Sequence, residues 1–122
     1  MSATLIKYYR ASVCERDIQA GVVQYLTLTG WVVVELSQYQ RVTGTIVGMS
    51  DVIAWKGYGD LAVCLLVECK SPTGKLRRSQ AEFFERIKPL LSATLWHFVV
   101  RSLDDLIDGL TVIEQANKEN IR

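Results

Sequence analysis

The apolar stretch LAVCLLV, residues 61–67, constrains the fold of this 122-residue chain more than any other segment. A short run of Leu and Val near Gly and Pro is typical of a strand that is covered on both faces. The run leads directly into Glu68, Cys69 and Lys70. Because side chains alternate along a strand, Glu68 and Lys70 share one face and Cys69 points to the other. An ionised carboxylate at the end of a buried strand needs a cation, a metal or several donors to offset its lost hydration.

A second strand is predicted just upstream, at residues 50–55, with Asp51 near its start. If it pairs antiparallel with residues 61–70 through a turn at 57–60, Asp51 and Glu68 fall at the same end of a hairpin. Two carboxylates and one ammonium then converge, and hard oxygen ligands of this kind suit Mg²⁺ or Mn²⁺. On these grounds alone, a metal-dependent phosphodiesterase site and a structural ion pair between Glu68 and the following lysine remain equally open.

The rest of the pattern predicts an α/β fold in one domain, residues 1–122, with a mixed central β-sheet flanked by helices. The expected order is helix, three strands, helix, strand, helix. The first helix is expected to open with a capping box at 12–15 and to end at Gly30, and a strand at 31–36 and a loop at 37–47 follow it. The second helix is expected to open with a capping box at 79–82, and Pro89 should disturb its last turn. A strand at 95–100, a helix from Ser102 and a frayed tail at about 115–122 complete the chain.

The composition limits which classes of catalytic or metal site the chain can form. With one His and three Cys that lack C-x-x-C spacing, a histidine metal site, a Ser/His/Asp triad and a disulfide framework are all improbable, and the cysteines are expected to be reduced core thiols. His97 is interpreted as a packed or half-exposed residue. The chain shows neither a signal peptide nor an apolar run of membrane length, so we expect a cytoplasmic protein of a bacterium or of a virus-infected host cell.

The net charge of +1 neither requires nor excludes a polyanionic partner, but the cations are unevenly placed. Several follow the predicted acidic site closely, notably Lys75, Arg77 and Arg78. Such a cluster is usually a solvated surface, but its position beside the carboxylates favours DNA binding. Arg41, in the polar loop at 37–47, is a further candidate for contact with the substrate.

Four features in a fixed order resemble the virus-type replication-repair nuclease (VRR-NUC) domain of the PD-(D/E)XK nuclease superfamily. They are Glu15 on the first helix, the sequence GMSD at 48–51, Glu68-Cys69-Lys70, and Gln80 at the start of the second helix. The resemblance extends from Glu15 to VVRSLDDL near the end. Two departures concern the shape of loops: Ser50 replaces the usual proline before the aspartate, and the glycine usual before the last strand is missing from SATLWHF.

The resemblance implies a restriction-endonuclease-like α-β-β-β-α-β core and a catalytic set comprising Asp51, Glu68, Lys70, Glu15 and Gln80. In that set Asp51 and Glu68 are metal ligands, and the backbone carbonyl of Cys69 is a third. Glu15 helps to bind or orient the metal, Gln80 supports the site, and Lys70 positions or activates the attacking water. The implied cofactor is Mg²⁺ or Mn²⁺, with no organic cofactor.

Small free-standing domains of this superfamily look like symmetric dimers, so the resemblance implies a homodimer that cuts branched DNA such as four-way (Holliday) junctions. Two alternatives share the fold: a catalytically silent nucleic-acid-binding module, and a restriction-type endonuclease subunit. The intact set of two acids and a lysine disfavours a silent module, because such a module has no need of a costly buried charge group.

Overall fold

A computed structural model describes residues 14–36 and 48–120 of the chain. Over these ranges the fold has the predicted order of helix, three strands, helix, strand and helix. The elements are α1 (Glu15–Leu28), β1 (Val32–Glu35), β2 (Val52–Tyr58), β3 (Leu61–Cys69), α2 (Arg78–Ile87) with a 3₁₀ turn (Lys88–Leu90), β4 (Leu95–Val100), and α3 (Leu103–Ala116) with a 3₁₀ turn (Lys118–Asn120).

The four strands form one mixed sheet in the order β1-β2-β3-β4. The first three are antiparallel neighbours, and β4 joins β3 in parallel, which the long connection through α2 makes possible. The predicted hairpin of β2 and β3 is present, with Val52 opposite Val67 and Tyr58 opposite Leu61. The α/β fold class and the mixed sheet predicted from the sequence are therefore confirmed.

The main hydrophobic core lies on the face of the sheet that carries α1 and α3. The buried residues of α1 recur at helical spacing, and those of β3 at every second position, so each element presents one apolar side to the core. The core residues of these three elements are Ile18, Val22 and Leu26 of α1, Val63, Leu65, Val67 and Cys69 of β3, and Leu106, Leu110 and Ile113 of α3.

Helix α2 covers the opposite face of the β3 and β4 half of the sheet. Phe83 is buried there, and the rings of Phe83 and Phe84 lie 6.2 and 5.1 Å from the imidazole of His97. His97 is half-buried, as predicted, and burial lowers its pKa. Because α2 covers this face, β3 is apolar on both sides until it reaches Glu68.

Both helix starts differ in detail from the predicted capping boxes. Helix α1 begins at Glu15 after Cys14, and Ser12 lies outside the described residues. Helix α2 begins at Arg78 rather than after Ser79, because the backbone N–H of Arg77 donates to the side-chain Oε1 of Gln80 at 2.8 Å.

The C-terminal segment is ordered further than a tail fraying from about residue 115. Helix α3 continues to Ala116, and the buried Asn117 donates from Nδ2 to the carbonyl of Ala93 at 3.0 Å. This segment packs under the hairpin turn, where Gly59 has a positive φ and the carbonyl of Asn120 fills the space of a Cβ. The hydrogen bond from the buried side chain of Asn117 therefore holds the C-terminal segment in place, although the segment is mostly polar and has no apolar stripe.

The cysteines are free, but only Cys69 is a core thiol, since Cys14 is exposed and Cys64 is half-buried. The expectation of core thiols is therefore confirmed for Cys69 and wrong for the other two: the start of α1 leaves Cys14 at the surface, and Cys64 is outside the buried core. No helix in the described ranges is long and apolar enough to cross a membrane.

Candidate active site

Three carboxylates from separate elements meet at the open end of the β2–β3 hairpin. Glu15 is the first residue of α1, Asp51 immediately precedes β2, and Glu68 is near the end of β3. One oxygen from each lies within 4.8 Å of the other two. The hairpin register explains the pairing, because Val52 lies opposite Val67 and the next pair outward is therefore Asp51 with Glu68.

The two hairpin acids are nearly inaccessible to solvent, with Asp51 5% and Glu68 2% exposed. The backbone N–H of Cys69 donates to Oδ2 of Asp51 at 2.9 Å. This bond joins the two strands beyond their last regular pair and holds the Asp51 carboxylate beside Glu68. The sulfur of Cys69 belongs to the opposite, core face, as the alternation along β3 predicted.

The carboxyl group of Glu68 has the most perturbed acidity at the site. Burial, a hydrogen bond with Asp51 and the charges of Asp51 and Glu15 together raise its pKa from 4.5 to about 9, although the charge of Lys70 opposes the rise. Without a cation, this group therefore holds a proton at neutral pH. A divalent cation would displace that proton, because metal ligation requires the carboxylate form.

Gln80 holds Glu68 from the other side. Its Nε2 donates to Oε1 of Glu68 at 2.6 Å, and its own Oε1 accepts from the backbone N–H of Arg77 at 2.8 Å. Gln80 is buried at the third position of α2, so the start of this helix is tied to the end of β3. The amide thus fixes one oxygen of Glu68.

Lys70 lies just beyond β3 and is only 3% exposed. Its backbone N–H donates to the carbonyl of Val100 at 3.0 Å, which anchors the residue beside the end of β4. Within the described ranges, the side-chain nitrogen of Lys70 does not come within 4.0 Å of a carboxylate oxygen of Glu68. The ion pair that meets this distance there is Arg78 with Glu82. The structural ion pair considered from the sequence is therefore not formed.

The cations predicted to bind DNA follow Lys70 along the chain. Lys75, Arg77 and Arg78 are exposed on the loop and at the first residue of α2, beside the acidic cluster. Arg78 donates from Nε to Glu82 at 2.9 Å in a solvent-exposed pair, which is a weak interaction. Arg41 lies outside the described residues.

Two residues shortly before Asp51 have surroundings that the sequence did not reveal. Gly48 has a φ of +84°, and a Cβ there would overlap the backbone carbonyl of Ser79. The segment before Asp51 therefore packs directly against the start of α2, which only glycine permits. Ser50 is fully buried, and its hydroxyl has no hydrogen-bond partner in the part of the chain that the structure describes.

The donor set fits a hard divalent cation. Oxygens bound to one Mg²⁺ lie about 3–4 Å apart, so side-chain oxygens within 4.8 Å of one another need only small rotations to share an ion. Without such an ion, burial and the negative charges of Asp51 and Glu15 disfavour the ionised form of Glu68 and raise its pKa, so a cation would relieve both effects. The chemistry of the site therefore favours Mg²⁺ or Mn²⁺ over softer metals.

Comparison with known families agrees with this arrangement. Residues 10–90 match the sequence model of the VRR-NUC domain, a range that includes the three carboxylates, Lys70 and Gln80. A search of curated proteins found no match. The VRR-NUC domain implies a nuclease-type function and DNA as the substrate. Since the match covers well over half of the chain, the protein belongs to the VRR-NUC domain family.

Proposed function

We propose that this protein is a metal-dependent endodeoxyribonuclease that hydrolyses phosphodiester bonds in branched DNA. The observation that carries the proposal is the convergence of Glu15, Asp51 and Glu68 within 4.8 Å at the open end of the hairpin. The family match supports nuclease chemistry, and the exposed cations next to the cluster support a polyanionic substrate.

Asp51 and Glu68 are proposed to hold Mg²⁺ or Mn²⁺, with Glu15 and the backbone carbonyl of Cys69 completing the protein ligands. When bound, the ion supplies Lewis acidity to the scissile phosphate and makes a water more acidic. Gln80 keeps one oxygen of Glu68 in place during the reaction, because its own amide is fixed by the backbone of α2.

Lys70 is proposed to orient the attacking water and to stabilise the negative charge that grows on the phosphate. Its burial supports this role, since a charge in a water-poor site acts more strongly on nearby charges than one in bulk solvent. The side chain also lacks an ion pair with Glu68, which leaves its charge available to the substrate.

A homodimer is proposed as the active form, because two sites related by a two-fold axis suit matching cuts in a four-way junction. An apolar surface supports it: Val32 is 66% and Trp55 is 40% exposed, and these two residues are cross-strand partners on the half of the sheet that α2 does not cover. Val34, two residues along β1, extends the same surface. Light scattering of Val32→Ser/Trp55→Ser against wild type tests this proposal, and an unchanged mass for the variant contradicts this interface.

Cleavage of end-labelled DNA tests the activity. Wild type is expected to cut a four-way junction in Mg²⁺ or Mn²⁺, to cut plain duplex more slowly, and to be inactive in EDTA. Asp51→Asn, which keeps the side-chain size, is expected to be folded and inactive. Undiminished cleavage in EDTA, or none in either metal, would contradict the proposed activity, whereas equal cleavage of duplex would contradict only the branched preference.

A further inference from the structure

Arg101, the residue after β4, lies next to the strand end that carries Lys70. The carbonyl of Val100 accepts the backbone N–H of Lys70 at 3.0 Å, so the chain at Arg101 begins beside the active site. The backbone N–H of Arg101 donates to Oδ2 of Asp105 at 2.9 Å, which ties it to the first turn of α3. The main chain at Arg101 is thus held by two rigid elements.

The guanidinium of Arg101 spans a turn in the loop after β3. Its Nη1 donates to the carbonyl of Ser71 at 2.9 Å and to the carbonyl of Gly74. The turn is closed by the N–H of Gly74, which donates to the same Ser71 carbonyl at 3.1 Å. Within the described ranges no carboxylate is close enough to Arg101 to form an ion pair. This arginine is therefore committed to backbone carbonyls.

The turn needs such an anchor because little else holds it. Between Ser71 and Lys75, the hydrogen bonds found within the described residues are the turn's own bond and those from Arg101. The loop nevertheless joins Lys70 to Arg77, and it carries the exposed Lys75. Any movement of the turn would shift these cations relative to the acidic cluster.

We propose that Arg101 is a positioning residue for DNA binding, which holds the Ser71–Gly74 turn so that Lys75 and Arg77 face the phosphates flanking the scissile bond. This inference rests on the proposed nuclease function. Arg101 acts on affinity more than on chemistry, because the hydrogen bonds that Asp51 and Glu68 receive from Cys69 and Gln80 do not involve it.

Two substitutions of Arg101 distinguish its hydrogen bonds to the turn from the effect of its positive charge alone. Arg101→Gln removes the charge, and Arg101→Lys keeps it but lacks the planar guanidinium that reaches both carbonyls. Lys118→Gln, in the 3₁₀ turn near Gly59 at the other end of the hairpin, is the matched control for charge. The readouts are the Kd for a fluorescent four-way junction in EDTA, the kcat at saturating DNA in Mg²⁺, and the amide exchange rate of Gly74.

We expect Arg101→Gln to raise the Kd about tenfold, the size of one lost charge-assisted hydrogen bond, and to speed exchange at Gly74. Arg101→Lys should lose several-fold in affinity, and kcat should change less than twofold in both variants. Lys118→Gln should match wild type.

Unchanged exchange at Gly74 in both Arg101 variants would overturn the proposal, and so would wild-type affinity in Arg101→Lys, which would mark a direct charge contact with DNA. If wild type neither binds nor cuts DNA, the proposed function fails. In that case Gly74 exchange still decides whether Arg101 holds the turn. If Arg101→Gln does not fold, Arg101→Lys alone decides both questions.

Discussion

Two lysines of the same β-hairpin lie at its opposite ends in contrasting surroundings. Lys56, near the Gly59 turn, donates from Nζ to the carbonyl of Thr29 at the end of α1, at 3.0 Å. The same ammonium lies 6.0 Å from the ring centroid of Trp31 and 5.5 Å from that of Tyr58. A helix C-terminus and two aromatic faces are stabilising partners for a cation, so stability alone explains Lys56.

Lys70, at the open end, is more deeply buried, and its charge acts on the carboxyl of Glu68 without forming an ion pair with it. Among the residues that the structure describes, no ion pair compensates the charge of Lys70, and an incompletely compensated buried charge costs several kcal/mol. Burial of a lysine therefore does not by itself indicate a catalytic role. What distinguishes Lys70 is that it is buried and that its charge acts on Glu68, one of the three converging carboxylates.

Replacing each of the two lysines with Met should give the largest difference between the two ends of the hairpin. Lys70→Met should lower kcat by about 10²–10³, the usual loss when a preorganised electrostatic contact to a transition state is removed. Its free energy of unfolding should be unchanged or higher, because a buried charge is replaced by an apolar chain of similar length. Junction cleavage and urea unfolding measure the two quantities. A Lys70→Met variant with a lower free energy of unfolding but a wild-type kcat would show that Lys70 serves stability and not catalysis.

Gln80→Ala tests whether the acidic cluster at the open end of the hairpin needs the hydrogen bond between Gln80 and Glu68. Removing the amide frees Glu68 from its 2.6 Å hydrogen bond, so we expect cleavage or metal affinity to fall by about 10–100-fold. Gln24→Ala, on the exposed side of α1, is the control. Equal activity of the two variants would mean that Gln80 serves only the helix start.

The raised pKa of Glu68 leads us to expect that the stability of the protein depends on pH. Its folded-state pKa is about 9 against 4.5 unfolded, so the folded protein in EDTA holds a proton that the unfolded chain has released. Its contribution to stability is therefore present below pH 4.5 and lost as the pH rises toward 9, with a slope of at most about 1.4 kcal/mol per pH unit. Urea unfolding at several pH values should show this slope in wild type and a flatter one in Glu68→Gln.

Divalent cation should reduce the loss of stability at high pH, because it binds the carboxylate form. Parallel slopes for wild type and Glu68→Gln in EDTA would show that Glu68 does not hold the proton.

Lys56→Met should give the smallest effect. We expect it to lower the free energy of unfolding by about 1 kcal/mol, through the lost hydrogen bond and cation–π contacts, and to leave kcat unchanged. The same two assays measure it beside Lys70→Met. A large loss of kcat in Lys56→Met would mean that the two ends of the hairpin are not independent.

The sequence predicts the hairpin well because its signals are local. The apolar run ending at Glu68, the turn residues before it and the alternation of β3 together bring Asp51 and Glu68 to one end. The resemblance adds Glu15 and Gln80, whose positions depend on helix docking. Their expected roles at the site stay predictions, although the structure places both beside the hairpin acids.

What the sequence misses are contacts between segments that no local pattern links. Gly48 packs on the backbone of Ser79, and Arg101 reaches across to the turn before α2. The start of α2 was misplaced for a related reason, since the side chain of Gln80 serves both the cap at Arg77 and the carboxyl of Glu68. Asn117 is a buried amide in a polar segment, where hydrophobic periodicity gives no signal.

Isothermal titration calorimetry of the purified protein with Mn²⁺ is the most direct test of a cation site at the open end of the hairpin. Wild type should show saturable binding with release of protons, and Asp51→Asn should lose most of that affinity while keeping the circular dichroism of a folded protein. Identical Mn²⁺ affinity in wild type and folded Asp51→Asn would contradict a cation site built on Asp51, Glu68 and Glu15.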